Sequence, residues 1–221
     1  MRIVSRVSLV LALAALTATP ALSQQQAWQN RWYWGAQGSA LRYKTPSTEW
    51  SWAYGVGAHW FITKRYGGLY VSFEQNFFED GTGISVVPNG LSLTGQTEVQ
   101  WDHSQRWQAI LYAVPLSGVF QLYLGGGFAI HNITDADTLN ASALGDQALA
   151  VAFDEIDRRD SRAFIVFGGG LQLKIGRLAV FGDYQFMPAS GEFLITSSQH
   201  AFIAGLRYAL TSSSSEVTTT R

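Results

Sequence analysis

Residues 50 to 62 read Trp-Ser-Trp-Ala-Tyr-Gly-Val-Gly-Ala-His-Trp-Phe-Ile. Trp50, Trp52, Tyr54, Val56, Ala58, Trp60 and Ile62 fall on one face of an extended chain. Ser51, Ala53, Gly55, Gly57, His59 and Phe61 fall on the other. Side chains of a strand alternate between faces, so this pattern is a strand and not a helix. It is long beside the usual strand of about 5–6 residues. Its first face is apolar without a break and carries Trp at both ends.

The same alternation recurs along the chain. Leu69, Val71, Phe73 and Phe77 oppose Tyr70, Ser72, Glu74 and Asn76. Phe120, Leu122, Leu124, Phe128 and Ile130 oppose Gln121, Tyr123, Gly125, Gly127 and His131. Within 163–175, Ile165, Phe167, Leu171 and Leu173 oppose Gly168, Gly170, Gln172 and Lys174. Within 178–187, Leu178, Val180, Tyr184 and Phe186 oppose Asp183 and Gln185. Within 200–210, Phe202, Ala204, Leu206, Tyr208 and Leu210 oppose Ile203, Gly205 and Arg207. Two strands are less regular: 31–43 is aromatic at both ends, and 104–114 has apolar residues on both faces. The total is eight.

The connections alternate between short and long. Residues 63–67, 115–118 and 176–177 are tight turns, whereas 44–49, 79–102, 132–161 and 188–199 are loops. That asymmetry is typical of outer-membrane barrels. Pro46, Pro88, Pro115 and Pro188 all fall in the expected connections, as a residue without a ladder N–H should.

Charge placement separates a membrane barrel from a soluble one. Only 14% of the 221 residues are charged and 14% are aromatic, at a mean hydropathy of +0.05. A soluble eight-stranded barrel is apolar inside and charged outside. In the six regular strands the apolar face carries no charge, and the opposite face carries Glu74, Lys174, Asp183 and Arg207. Four charges are too few for a water-facing wall but suit an enclosed interior. The apolar face therefore meets lipid, where an open sheet edge could not be satisfied, so the sheet closes. The expected fold is all-β: an eight-stranded antiparallel up-and-down transmembrane β-barrel. Trp50, Trp52, Trp60 and Tyr208 are expected as aromatics at its two membrane interfaces.

Arg2 and Arg6 precede the apolar stretch 7–16, and Ala21-Leu22-Ser23 supplies small residues at a cleavage site, so 1–23 reads as a secretory signal peptide. Cleavage leaves 13 of the 15 basic residues against 16 acidic ones, net −3. The barrel then spans 24–210, followed by a Ser/Thr-rich tail, 211–221. A near-neutral chain offers no basic footprint for nucleic acid. The absence of Cys removes disulfide, thiol-enzyme and Cys-ligated metal chemistry. The four His residues are scattered without ligand spacing, and neither a metal nor another cofactor is expected.

Three stretches resemble the small bacterial outer-membrane barrel families of the OmpA, OmpW and opacity type, with porin-like barrel domains. They are Phe120-Gln-Leu-Tyr-Leu-Gly-Gly-Gly-Phe-Ala, Val180-Phe-Gly-Asp-Tyr-Gln-Phe and the closing Gly205-Leu-Arg-Tyr-Ala-Leu. The closing position departs from the family's aromatic residue, being Leu210, and a tail follows it. The resemblance covers about Trp32 to Leu210. It implies residence in the bacterial outer membrane and contact with its lipid and lipopolysaccharide. It also implies insertion by the barrel assembly machinery, which reads the last strand. A monomer is expected. No peptidoglycan-binding segment follows the barrel, so a wall anchor is not implied.

His59, Tyr70, Glu74, Asn76, Gln172, Lys174, Asp183, Gln185 and Arg207 form the expected polar network of the lumen. Eight strands leave room only for side chains, so two acids and two bases are expected to neutralise each other there. The alternative is a narrow channel for small or apolar solutes, OmpW-like, assisted by the inward glycines 55, 57, 125, 127, 168 and 170. Residues 143–157 read as a short amphipathic helix, with Ser142 as a cap and Arg158-Arg159 at its negative end. Such a helix either covers the rim or binds at the surface. The acids Asp135, Asp137, Asp154, Glu155, Asp157 and Asp160 read as a solvated loop rather than a Ca²⁺ site. The expected role is structural or surface-interacting, and not enzymatic. A lipid A-modifying enzyme is the remaining alternative. Its only candidate residues are His103-Ser104 with Glu98 and Asp102, and no His-x-Ser-Asn motif supports it.

Overall fold

A computed structural model describes residues 31–45, 49–64, 66–78, 84–86, 97–116, 119–138 and 146–210. The expected signal peptide and C-terminal tail lie outside these residues. Eight long strands appear where the alternation places them. They are β1 (Trp32–Tyr43), β2 (Ser51–Thr63), β3 (Gly67–Phe78), β6 (His103–Leu116), β7 (Phe120–Thr134), β9 (Ser161–Ile175), β10 (Leu178–Met187) and β11 (Gln199–Ala209). Each pairs antiparallel with its neighbours in the chain, and β1 pairs with β11 from Tyr33↔Ala209 to Arg42↔His200, so the barrel closes. Closure removes both sheet edges, as a lipid surround requires.

The long connections contain structure that alternation could not reveal. Short strands β4 (Ile84–Val86), β5 (Thr97–Gln100) and β8 (Asp137–Thr138) form a three-stranded sheet above the barrel. The β3–β6 and β7–β9 connections are therefore joined through Val99↔Thr138 and Gln100↔Asp137. A helix, α1 (Asp146–Arg159), fills most of the β7–β9 connection. The expected helix, 143–157, lies within three residues of it at either end, and 143–145 lie outside the described residues. Its buried stripe is Ala152, Glu155 and Ile156, while Phe153 is exposed. Arg158 pairs with Asp154 and Glu155, and Arg159 with Glu155 at 2.6 Å, so two expected loop acids are held by the helix's own arginines.

One proline expectation fails. Pro115 lies inside β6 rather than in the turn after it. The β6–β7 register shifts between Ala113 and Leu116, and this irregularity accommodates a residue that cannot donate to the ladder. The β9–β10 turn is the tight one expected, with Gly176 in the left-handed region at φ 65°.

Outward positions are largely apolar, among them Trp34, Trp60 and Tyr208 toward the short-turn end, and the polar ones, such as Gln75, Gln105, Asn132 and His200, lie in the loop-end half. Trp50, Trp52, Tyr54, Trp107 and Phe202 stand toward the loop end. Trp32 and Trp34 both contact Trp60, at 6.1 and 4.5 Å between centroids. Trp52 and Trp60 are eight residues apart on β2, or about 20 Å of height for a strand tilted about 45°. The irregular strand 104–114 resolves the same way: Trp107, Ala109 and Leu111 face out, and Ser104, Arg106, Gln108, Ile110 and Tyr112 face in. Arg42 is the one Lys, Arg, Asp or Glu on the outward strand positions among the described residues.

Candidate functional site

The inward face of the barrel gathers its polar side chains into stacked rows, because every second residue of all eight strands points to the same narrow space. The row nearest the short-turn end is built around Arg207 of β11. Its Nε donates to His59 Nε2 at 3.0 Å, and its Nη1 donates to Gln172 Oε1 at 2.6 Å. Gln172 in turn donates to Gln121 at 3.2 Å. The guanidinium lies over the rings of Phe181, 3.8 Å away, and Phe61, 4.7 Å away. Tyr70 and Tyr123 stand at 5.6 and 5.5 Å. A buried cation is thus surrounded by aromatic faces, whose quadrupoles compensate part of its lost hydration.

The middle row holds an ion pair. Arg106 Nη2 donates to Glu74 Oε1 at 2.7 Å, and both side chains are 0% exposed. Gln37 donates to the other Glu74 oxygen at 3.0 Å and accepts from the Tyr70 hydroxyl at 2.6 Å. Asp183 accepts from the Tyr112 hydroxyl at 2.6 Å and from Gln185 at 3.1 Å. Gln108 donates to Ser72 at 2.8 Å.

The row nearest the loops runs through Asn76, Ser104, His131 and Gln199. Ser104 Oγ lies 2.7 Å from His131 Nε2, and His131 Nδ1 lies 3.0 Å from Gln199 Oε1. With the Gln199 amide oxygen turned to Nδ1, Nδ1 carries the proton and Nε2 accepts from Ser104. This spacing resembles that of a nucleophile, base and orienting group. All three side chains are fully buried, however, and Asn76 donates to the same serine oxygen at 3.4 Å. Phe193 lies over the His131 ring, 5.3 Å between centroids.

Above that row the loops supply a cover. Phe193, Leu194 and Ile195 of the β10–β11 connection are buried, and Leu194 N donates to Arg159 O at 3.0 Å. Phe193 packs on Phe164 at 5.2 Å, while Tyr43, Phe78 and Trp101 form a second aromatic row.

Of the expected lumen residues, His59, Tyr70, Glu74, Asn76, Gln172, Asp183, Gln185 and Arg207 are buried and hydrogen-bonded or ring-packed within these rows. Lys174 is not one of the charges at the centre. It is half-buried near the short-turn end, two residues from the last turn. The second internal base is Arg106, which the sequence left on an ambiguous strand. The inward glycines do not widen the interior. A Cβ at Gly125 or Gly127 would collide with the Leu111 or Ala109 carbonyl of the neighbouring strand. The His103-Ser104 pair splits across the wall: Ser104 faces His131 inside, and His103 faces Asp135 at 3.9 Å outside.

Comparison with solved structures places the architecture. The chain is similar to neisserial surface protein A, at 8% identity and a TM-score of 0.50, over 80% of this chain and 96% of that one. The fold is that of a small outer-membrane barrel. The attachment invasion locus protein Ail of Yersinia pestis aligns at 12% identity and a TM-score of 0.42, over 82% of this chain and 99% of that one. No protein-family model matches the sequence, and no curated protein does either.

Proposed function

We propose that this chain is an exported barrel of the bacterial outer membrane, with a structural or surface-interaction role carried by its loops. The leader, 1–23, is removed, the short turns face the periplasm, and the loop cover faces outward. Lipid and lipopolysaccharide surround the wall, and the barrel assembly machinery inserts it. The observation that carries this reading is the pairing of an apolar outer wall, banded by Trp at both ends, with an interior filled by hydrogen-bonded and ring-packed side chains. A wall of that kind is stable only against lipid. An interior of that kind favours a plugged lumen over a conducting one. No enzymatic role is proposed, because the Ser104–His131 pair is enclosed by the wall and by Phe193. The inward glycines, taken up by close strand contacts, give the channel alternative no support.

Two measurements on the refolded protein test the proposal. Heat-modifiable gel mobility reports the closed barrel, and its absence would refute membrane insertion. Planar-bilayer recording reports the lumen: the expected result is no step above background, and reproducible steps would overturn the plugged interior.

A further inference from the structure

We propose that the loop end of the outer wall, between β9 and β1, holds one lipid that carries a phosphate monoester. Its phosphate rests on Arg42 and His200, and one acyl chain lies in a groove over β7, β9 and β10. The inference rests on the reading that this wall faces lipid, and goes beyond it by naming a site.

A charge on a lipid-facing wall costs about 2–4 kcal/mol at midplane and close to nothing at the interface. Arg42, the penultimate residue of β1, is placed where that cost is least. Among the described residues no carboxylate pairs with it. Its guanidinium lies over Trp50, 4.5 Å from the ring centroid, which holds it at the rim. Trp50 contacts the His200 ring at 5.7 Å, and His200 is the strand partner of Arg42 across the closing seam. His200 Nδ1 lies 2.7 Å from the Tyr184 hydroxyl, and Ser198 Oγ is 3.5 Å from Nε2. Tyr184 takes up Nδ1, so Nε2, with only the long Ser198 contact, is the imidazole nitrogen left to face the rim beside Arg42 and the two hydroxyls. That donor set suits a phosphate, which arginine binds through two parallel hydrogen bonds.

The cluster and a neighbouring groove share Tyr184 and Phe186, which touch His200 and also line the groove. Phe186, whose ring lies 5.3 Å from that of His200, forms one wall together with Tyr184. Leu124 and Phe167 form the other, and the floor is the backbone at Gly125, Gly126 and Gly168. Its volume is about 480 Å³. It lies where Gly126 and Gly169 stand at outward positions between the larger Leu124 and Phe128 of β7 and Phe167 and Leu171 of β9. A phosphate at one end and an apolar trough at the other match the two parts of a single lipid.

Native mass spectrometry of the detergent-solubilised full barrel tests this. The probes are phosphatidic acid, phosphatidylcholine of identical chains, and inorganic phosphate. One phosphatidic acid is expected to remain bound at about five- to tenfold lower concentration than phosphatidylcholine. Arg42→Ala with His200→Ala should abolish that preference. Gly126→Leu, which fills the trough, should weaken both lipids while leaving their ratio unchanged. Inorganic phosphate alone should not be retained. Equal retention of the two lipids by the unmodified protein would overturn the site. So would retention of phosphate alone, or a second barrel copy in place of lipid. Heat-modifiable mobility of each sample separates the two levels: a sample that shifts but shows no preference refutes the site, and one that does not shift refutes the barrel reading beneath it.

Discussion

The Glu74–Arg106 pair sets up a sharp test of how the interior is held. At 2.7 Å and in an effective dielectric of about 20, the two charges attract by about 6 kcal/mol. Each ion loses its water on entering the barrel, so most of that attraction offsets desolvation rather than adding net stability. Removing one partner discards the attraction and leaves the other charge enclosed. Glu74→Leu or Arg106→Met alone should therefore cost about 3–5 kcal/mol. The Glu74→Leu change also strips the acceptor from Gln37, adding about 1 kcal/mol. The double variant should cost less than either single one, because no uncompensated charge remains. The assay is equilibrium urea unfolding from lipid vesicles, followed by Trp fluorescence and gel mobility. For a slope of about 2 kcal/mol per molar urea, each single change moves the midpoint by about 2 M. The coupling should also persist at high salt, since an enclosed pair is little screened. Additive single costs, or single costs below about 1 kcal/mol, would refute the reasoning.

Other outcomes follow from particular contacts. Gly125→Ala and Gly127→Ala should each destabilise the barrel by at least about 1–3 kcal/mol, because the added carbon strikes a neighbouring carbonyl. Gly182→Ala, with nothing within 4 Å, should stay within about 0.5 kcal/mol; the same unfolding titration decides between them. Arg207→Lys should cost about 2–4 kcal/mol despite keeping the charge, since an ammonium cannot stack between Phe61 and Phe181 while reaching His59 and Gln172. A change below 1 kcal/mol would show that charge alone matters there. Asp160, just past α1, has its carboxyl held above the ordinary Asp range by burial and by the neighbouring Asp157 charge. Its native form therefore binds a proton more readily than its unfolded form. That contribution favours folding below the ordinary Asp range and is lost as pH rises through the raised value. NMR titration of the Asp160 carboxyl carbon checks the direction, and a value at or below the ordinary range would contradict it.

The barrel was legible because each long strand commits one whole face to lipid. Strand β6 was the exception: Trp107 and Leu111 point outward and Ile110 and Tyr112 inward, so hydropathy alone could not orient it, and Arg106 went unplaced. Lys174 failed for a different reason. Alternation gives the face of a side chain but not its depth, and Lys174 is close enough to the rim to remain partly solvated. The ring of aromatics around Arg207 draws on β2, β3, β7 and β10, and depends on strand stagger that no single segment encodes. The β4–β5–β8 sheet consists of segments of two to four residues, too short for periodicity to register.

That small sheet changes what the exposed end of the protein is. Val99 and Thr138 tie two of the four connections together, the Leu194–Arg159 hydrogen bond ties a third to α1, and Lys44 N donates to Ser197 Oγ at 2.8 Å to bring in the fourth. An antibody raised against a peptide from one connection would meet a shape assembled from several. Exchanging a single connection for a foreign segment would remove contacts from its neighbours. Variation at this end must therefore be concerted, and a chimera that transplants all four connections together should retain an ordered surface where single-loop grafts do not.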